Sequence, residues 1–381
     1  MNKILVTPCL LAASVLSTTA LAADVRFNGF ASVVGGMTLN EGKSIVNGSE
    51  VNSQFSADDP SRGVYDEDLS FKPDTIFGLQ VSADLGKGLN VTGQFTGAGG
   101  ENFDANVAWA YISYELNDSW TMIAGRQRLP VYFYSDYLDV GYAYHWMRPP
   151  TEAQIPIDTI EGIQFTHSGS IGAWDTRFQI YGGAGDAETA TGSEFGLEDT
   201  VGVVAYASND WLQLRATYMT TDIWFNFTAD VGPALAAQAG QSDEDPTTVD
   251  FAGVAAHATF GNGFVGAEYI NFKFGDPISF TGWDSFTGGY ITAGYRIGKV
   301  TPHITFSTFE QPISNEAFAV ALDGDESADS VTIGIRWDFH PQAALKAEYQ
   351  TRTDETDDSI KTAQGEVWET DVVSVGFDVI F

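Results

Sequence analysis

The chain has one cysteine, Cys9, and little positive charge: 18 Lys and Arg stand against 51 Asp and Glu, a formal net charge of −33 at pH 7. Nucleic-acid binding needs a basic patch, so that class of partner is excluded. From residue 23 onward no apolar run approaches the roughly 18–20 residues of a membrane helix. The histidines, His145, His167, His257, His303 and His340, are scattered without metal-ligand spacing. Gly36 to Ser44 is one residue too long for a P-loop and leads from a strand into an acidic loop. Asp323-Gly324-Asp325 opens like a calcium loop, but Ala328 stands where the turn glycine belongs and Gly334 where the bidentate glutamate belongs. There is no G-x-S-x-G elbow. No cofactor, metal site or catalytic residue is expected.

Cys9 lies in a segment that reads as a secretory signal peptide, residues 1–22. Lys3 supplies the positive charge, an apolar run passes through Leu10 to Leu16, and Ala20-Leu21-Ala22 is a cleavage signature. Val6-Thr7-Pro8 is not the small-residue box a lipoprotein cysteine needs. Residues 23–381 are then a single thiol-free domain, which suits an oxidising envelope.

What that domain has is alternation. At the C-terminus Val373, Val375, Phe377, Val379 and Phe381 share one face, and Ser374, Gly376 and Asp378 the other. The pattern recurs back to residue 25. Phe77, Leu79, Val81 and Ala83 alternate with Gly78, Gln80, Ser82 and Asp84; Val331, Ile333, Ile335 and Trp337 alternate with Thr332, Gly334, Arg336 and Asp338. Seven short polar turns punctuate it, at Gly86-Lys87-Gly88, Asn117-Asp118, Ser168-Gly169-Ser170, Ser208-Asn209-Asp210, Gly261-Asn262-Gly263, Gly298-Lys299 and His340-Pro341-Gln342. They join fourteen strands in pairs, and the terminal strands make sixteen. Trp120, Trp174, Trp211 and Phe264 follow short turns, and Phe260, Trp337 and Phe339 precede them, as in the aromatic girdle of a membrane barrel. The expectation is an all-β, transmembrane, antiparallel barrel of 16 strands.

The closing strand resembles that of Gram-negative outer-membrane barrels, in which a terminal Phe and apolar residues two, four and six positions earlier form the insertion signal. Here those are Phe381, Val379, Phe377 and Val375. The resemblance implies the barrel assembly machinery as a partner and the cell outer membrane as location. The longest connection without a polar turn, about 129–156, follows Gly125-Arg126-Gln127-Arg128, with Pro130 close by. This is similar to the trimeric porins, where loop 3 folds into the barrel and narrows the lumen. The Pro-Glu-Phe-Gly-Gly stretch of enterobacterial porins is absent, so that branch's eyelet contacts do not carry over. The resemblance implies a homotrimer and a constriction.

Residues expected at that constriction are Arg126, Arg128, Asp136, Asp139 and Arg148. Basic residues expected on the lumen wall are Arg26, Arg177, Arg215, Arg296, Arg336 and Lys346. Two readings stand for these arginines: a transverse field across the pore, or structural bridges to Asp84, Asp175, Asp338 and Glu348. The aromatics of the loop, Tyr132, Phe133, Tyr134, Tyr137, Tyr142, Tyr144 and Trp146, are expected to pack on the inner wall, because exposure would invite aggregation. Acidic clusters at 58–68, 243–245, 323–329 and 354–358 read as solvated loops, as a cation-enriching vestibule, or as divalent bridges to lipopolysaccharide. Ala229 to Gly240 reads as a short loop helix.

The function expected is a water-filled channel for passive diffusion of small hydrophilic solutes and ions, in contact with lipopolysaccharide and outer-membrane lipid. A substrate-selective channel for anions or carboxylates is the alternative. A receptor or adhesin barrel and a barrel enzyme are two further readings; sixteen strands without clustered histidine speak against the enzyme.

Overall fold

The structure, a computed structural model, describes residues 24–39, 43–46, 49–52, 55–56, 64–154, 158–188, 194–226, 246–275, 284–312, 326–355 and 368–381. The expected signal peptide, the Ala229–Gly240 segment, the 243–245 cluster and part of each of the other acidic clusters lie outside the described residues.

Twenty strands follow one another: β1 (Asp24–Thr38), β2 (Lys43–Val46), β3 (Ser49–Asn52), β4 (Phe55–Ser56), β5 (Val64–Tyr65), β6 (Ile76–Asp84), β7 (Leu89–Ala98), β8 (Ala105–Asn117), β9 (Trp120–Arg128), β10 (Thr159–Ile171), β11 (Trp174–Glu188), β12 (Glu194–Ser208), β13 (Leu212–Asn226), β14 (Thr247–Phe260), β15 (Gly263–Phe274), β16 (Ser285–Tyr295), β17 (Val300–Gln311), β18 (Glu326–His340), β19 (Ala343–Glu355) and β20 (Trp368–Ile380). β2–β5 make two small hairpin sheets in the first long connection. The other sixteen close into one antiparallel barrel, with β1 pairing both β6 and β20. Closure removes the sheet edges, which lipid cannot satisfy.

The two faces are inverted relative to a soluble sandwich. Val33, Ile163, Ile333 and Val375 are about half exposed on the outside, whereas Ser32, Thr305, Ser374 and Asp378 are buried inside. Apolar residues facing out and polar residues facing in is the arrangement a bilayer selects. No helix among the described residues is long and apolar enough to cross a membrane.

Short turns gather at one end of the barrel. At three of them an Asp or Asn folds its side chain onto the following backbone: Asp84 accepts from the Gly86 N–H (2.8 Å), Asn117 from Ser119 and Trp120, and Asn209 from Trp211 and Leu212. The turn expected at Ser168–Ser170 lies further on. β10 runs through those residues to Ile171, and Gly172 makes the turn at φ +63°. Phe264 is a second correction. It points inward, with its ring 4.6 Å from His145, because it is Val265 that shares the outward face with Tyr269. Trp211, Phe260 and Trp337 do face outward at the short-turn end.

Candidate functional site: the loop-filled lumen

Residues 129–154 leave β9, turn into the barrel and contact the inward face of most of the wall. Three single 3₁₀ turns, Ser135–Tyr137, Gly141–Ala143 and Thr151–Ala153, are the regular structure in this loop. A loop buried among strands must find partners for its backbone polar groups. The wall supplies them as side chains.

Arg215 on β13 donates to the carbonyls of Val131 (2.7 Å) and Pro130. Glu268 on β15 accepts from the Phe133 N–H (2.7 Å) and the Tyr290 hydroxyl (3.1 Å). Arg336 on β18 donates to the carbonyls of Tyr142 (2.7 Å) and Tyr144 (2.6 Å), with its guanidinium 4.8 Å from the Tyr142 ring. Lys346 on β19 donates to the carbonyls of Gly141 (2.6 Å) and Trp146 (2.5 Å) while paired with Asp378 at 2.8 Å. Glu348 accepts from the Met147 N–H at 2.7 Å. Glu152 of the loop reaches Ser307 (3.0 Å), Ser330 and Arg352 (3.4 Å).

Apolar contacts complete the seating. Leu129, Val131 and Tyr132 join an inward cluster with Ile160, Met219, Phe251 and Ile270. Tyr134 meets Tyr137, Tyr144 and Trp146 at 5.2–6.0 Å, and Trp146, 1% exposed, packs on Tyr290 and donates its indole N–H to Thr305 (2.7 Å). The aromatics of the loop are therefore against the wall, as aggregation avoidance requires.

The charged residues singled out from the sequence fall into different places. Arg128 is buried against Asp139 and Asp158, with its guanidinium 5.5 Å from the Trp109 ring. Arg148 is buried against Asp74, over Tyr65. Asp136 pairs with Arg177 at 3.3 Å, and both stay open to water, at 53% and 39% exposure. Arg215, Arg336 and Lys346 hold the loop backbone. Arg26 lies at the short-turn end, exposed and paired with Asp24 at 3.0 Å.

Two placements correct expectation. Arg126 points out of the barrel: its cross-strand partner Glu161, 3.0 Å away, shares a face with Ile163 and Phe165, opposite the face that carries Gln164 and Tyr181. Strand parity puts Gly125 and Gln127 inside. Gly125, at φ +131°, lies so close to Ala110 and Tyr111 that a Cβ would clash. Arg296 is not on a strand; it follows Tyr295 and enters the β16–β17 turn, where its N–H donates to Asn262.

Reading the sequence alone missed Glu268 and Glu152 as loop anchors, and Asp378 as the partner of the anchor Lys346. For Glu268 and Asp378 the available signal was an acidic residue on the polar face of an otherwise neutral strand segment; Glu152, in the loop itself, offered no such signal. The histidines are also less scattered than their spacing implies. His145 lies 4.7 Å from His303, and both His145 and His257 contact the Phe264 ring. Burial, reinforced by the charges of His303, Lys346, His257 and Arg336, holds the His145 pKa well below its ordinary value.

No protein-family model and no curated protein matches the sequence. Solved structures do match. The outer-membrane channel DcaP of Acinetobacter baumannii superposes with a TM-score of 0.60 at 13% identity, over 94% of this chain and 97% of that one. OmpT of Vibrio cholerae, expressed in the outer membrane, gives 0.55 at 12%, over 97% and 100%. The anion-selective porin of Comamonas acidovorans gives 0.57 at 14%, over 94% and 100%. At these identities the likeness is one of fold: the chain has the architecture of the 16-stranded outer-membrane porins along nearly its whole length.

Proposed function

We propose that this barrel is an outer-membrane channel for passive diffusion of small hydrophilic solutes and ions, with the 129–156 loop as its constriction. The observation that carries the reading is the inverted barrel with a long loop seated inside it by wall side chains. A loop held at this many points sets a fixed aperture. Its water-facing charges are Asp136 and Arg177, which form the polar edge of the passage.

Charge preference follows from which groups remain free to act on an ion. Arg215, Arg336 and Lys346 are engaged by loop carbonyls, and Arg128 and Arg148 by carboxylates, so little basic charge faces water at the narrow level. The acidic excess acts from the vestibules within about 8 Å, the Debye length at physiological salt. A modest cation preference results. The likeness to an anion-selective porin keeps an anion or carboxylate channel as the second reading, with Arg177 as its basic group. The signal peptide, the assembly signal in Val375, Phe377, Val379 and Phe381, and contact with lipopolysaccharide belong to the same proposal. So does trimerisation, since one comparable structure is described as a trimer form of OmpT.

The test is reconstitution in a planar bilayer, reading conductance steps and the reversal potential under a KCl gradient. Three equal substeps with weak cation preference are expected. A small anion-selective conductance blocked by phosphate or carboxylates moves the reading to the selective channel. Absence of conductance from folded protein overturns both.

A further inference from the structure

A large cavity on the described surface lies outside the barrel. It has a volume of about 1440 Å³ and crosses the wall from β10 to β18. On each of β11–β18 its lining is a pair of outward residues with the backbone of the inward residue between them. Those inward residues form one row of directly opposed cross-strand partners: Arg177 pairs with Tyr206, Tyr206 with Arg215, Arg215 with Ala255, Ala255 with Glu268, Glu268 with Tyr290, Tyr290 with Ser307, and Ser307 with Ser330. The cavity is therefore a furrow running straight across the strands.

Small side chains open it. Ala205, Ala207, Ala216, Ala256, Ala267 and Gly289 point outward along it, between the bulkier Phe178, Leu214, Tyr269 and Phe306. At about 4.8 Å between strands, nine strands span roughly 38 Å. Strand tilt makes that path oblique to the membrane. Its volume exceeds the roughly 300–1,000 Å³ of compact small-molecule pockets. Asp329, at the end away from the short turns, is the charged residue whose side chain faces out into it.

We infer that this furrow seats an acyl chain of a membrane lipid. The wall it lies in is the apolar outer face between the aromatic end and the polar loop end, so hydrocarbon is what surrounds it. A compact polar solute finds almost no hydrogen-bonding partner there. A second barrel presents a convex wall, which cannot fill a furrow; a flexible hydrocarbon chain can. The furrow is also preformed. The row behind it carries Arg177, Arg215, Glu268, Ser307 and Ser330, the groups that grip the loop from within. Inner grip and outer furrow are the two sides of the same backbone row, so the chain enters a seat that does not have to be organised first.

The experiment uses the full protein in phosphatidylcholine vesicles holding a small fraction of phosphatidylcholine with a diazirine-bearing acyl chain. After illumination, labelled positions are mapped by peptide mass spectrometry. Labelling should concentrate on β12–β16 furrow residues such as Tyr269. Ala216→Phe with Ala256→Phe, which fills the furrow, should reduce it several-fold. Ala293→Phe, the same enlargement outside the furrow, should leave it unchanged. Ala256→Leu serves as a milder filling should the double variant not fold. Uniform labelling around the barrel, or labelling indifferent to filling, overturns the inference. So does protection of the furrow by crosslinks to a second protomer, which would make another copy its occupant.

Discussion

The Lys346 ammonium lies 2.8 Å from the Asp378 carboxylate, buried inside the barrel, and donates at the same time to the carbonyls of Gly141 and Trp146. One cation thus ties β19 to β20 and fastens both to the loop that fills the lumen. Asp378 in turn accepts from the Ser32 hydroxyl at 2.6 Å, so the network crosses the seam where the barrel closes.

Breaking that pair from one side leaves a buried charge without its partner. Such removals cost about 3–5 kcal/mol. Lys346→Met should lower the unfolding midpoint of the detergent-solubilised barrel and enlarge single-channel conductance, because the loop loses two anchors at once. Unchanged conductance in a folded Lys346→Met protein would mean the remaining anchors suffice to hold the loop.

Arg126 and Arg177 should differ sharply when each is changed to Ser. Arg126 faces outward, so its loss should leave the reversal potential in a KCl gradient where it was. Arg177 faces the water path beside Asp136, and its loss should move the reversal potential toward cations. Neither should change stability by more than about 1 kcal/mol, since both pairs are partly exposed. A shift from Arg126→Ser equal to that from Arg177→Ser would contradict the parity of β9.

His145 should make the barrel sensitive to acid. Its folded pKa lies well below the unfolded value of about 6.5, so below that pH the unfolded chain binds a proton that the folded chain excludes. Its contribution is therefore complete above about pH 6.5 and declines as pH falls, by at most about 1.4 kcal/mol per pH unit. The groups facing it are Thr292, Phe264, His303, His257, Lys346 and Arg336. Comparing thermal midpoints at pH 7.5 and pH 5 for the parent and His145→Gln isolates the effect. The parent should lose more; parallel losses would assign the acid sensitivity elsewhere.

Much of the barrel was legible because its signals are local. Two-residue periodicity separates Val375 and Phe377 from Ser374 and Asp378 without any knowledge of partners. Turn chemistry at Asp84 and Asn117 acts over two or three residues. The errors came where a local signal was ambiguous by a residue or two. Ser168-Gly169-Ser170 has turn composition, but Gly172 is the residue that adopts positive φ. Arg126 sits one place from the inward residues Gly125 and Gln127, and in a strand one place reverses the face.

The anchors of the loop carry no local signal. Phe133 and Glu268 are 135 residues apart, and Gly141 and Lys346 are 205 apart. The sequence by itself determined that these strands have one apolar and one polar face, because alternation is a property of neighbouring residues. Which polar residues face water, which grip the loop, and which three histidines meet was decided by closure of the barrel. Closure brings opposite walls to a single loop, and only then does a buried backbone carbonyl have an arginine or lysine within reach.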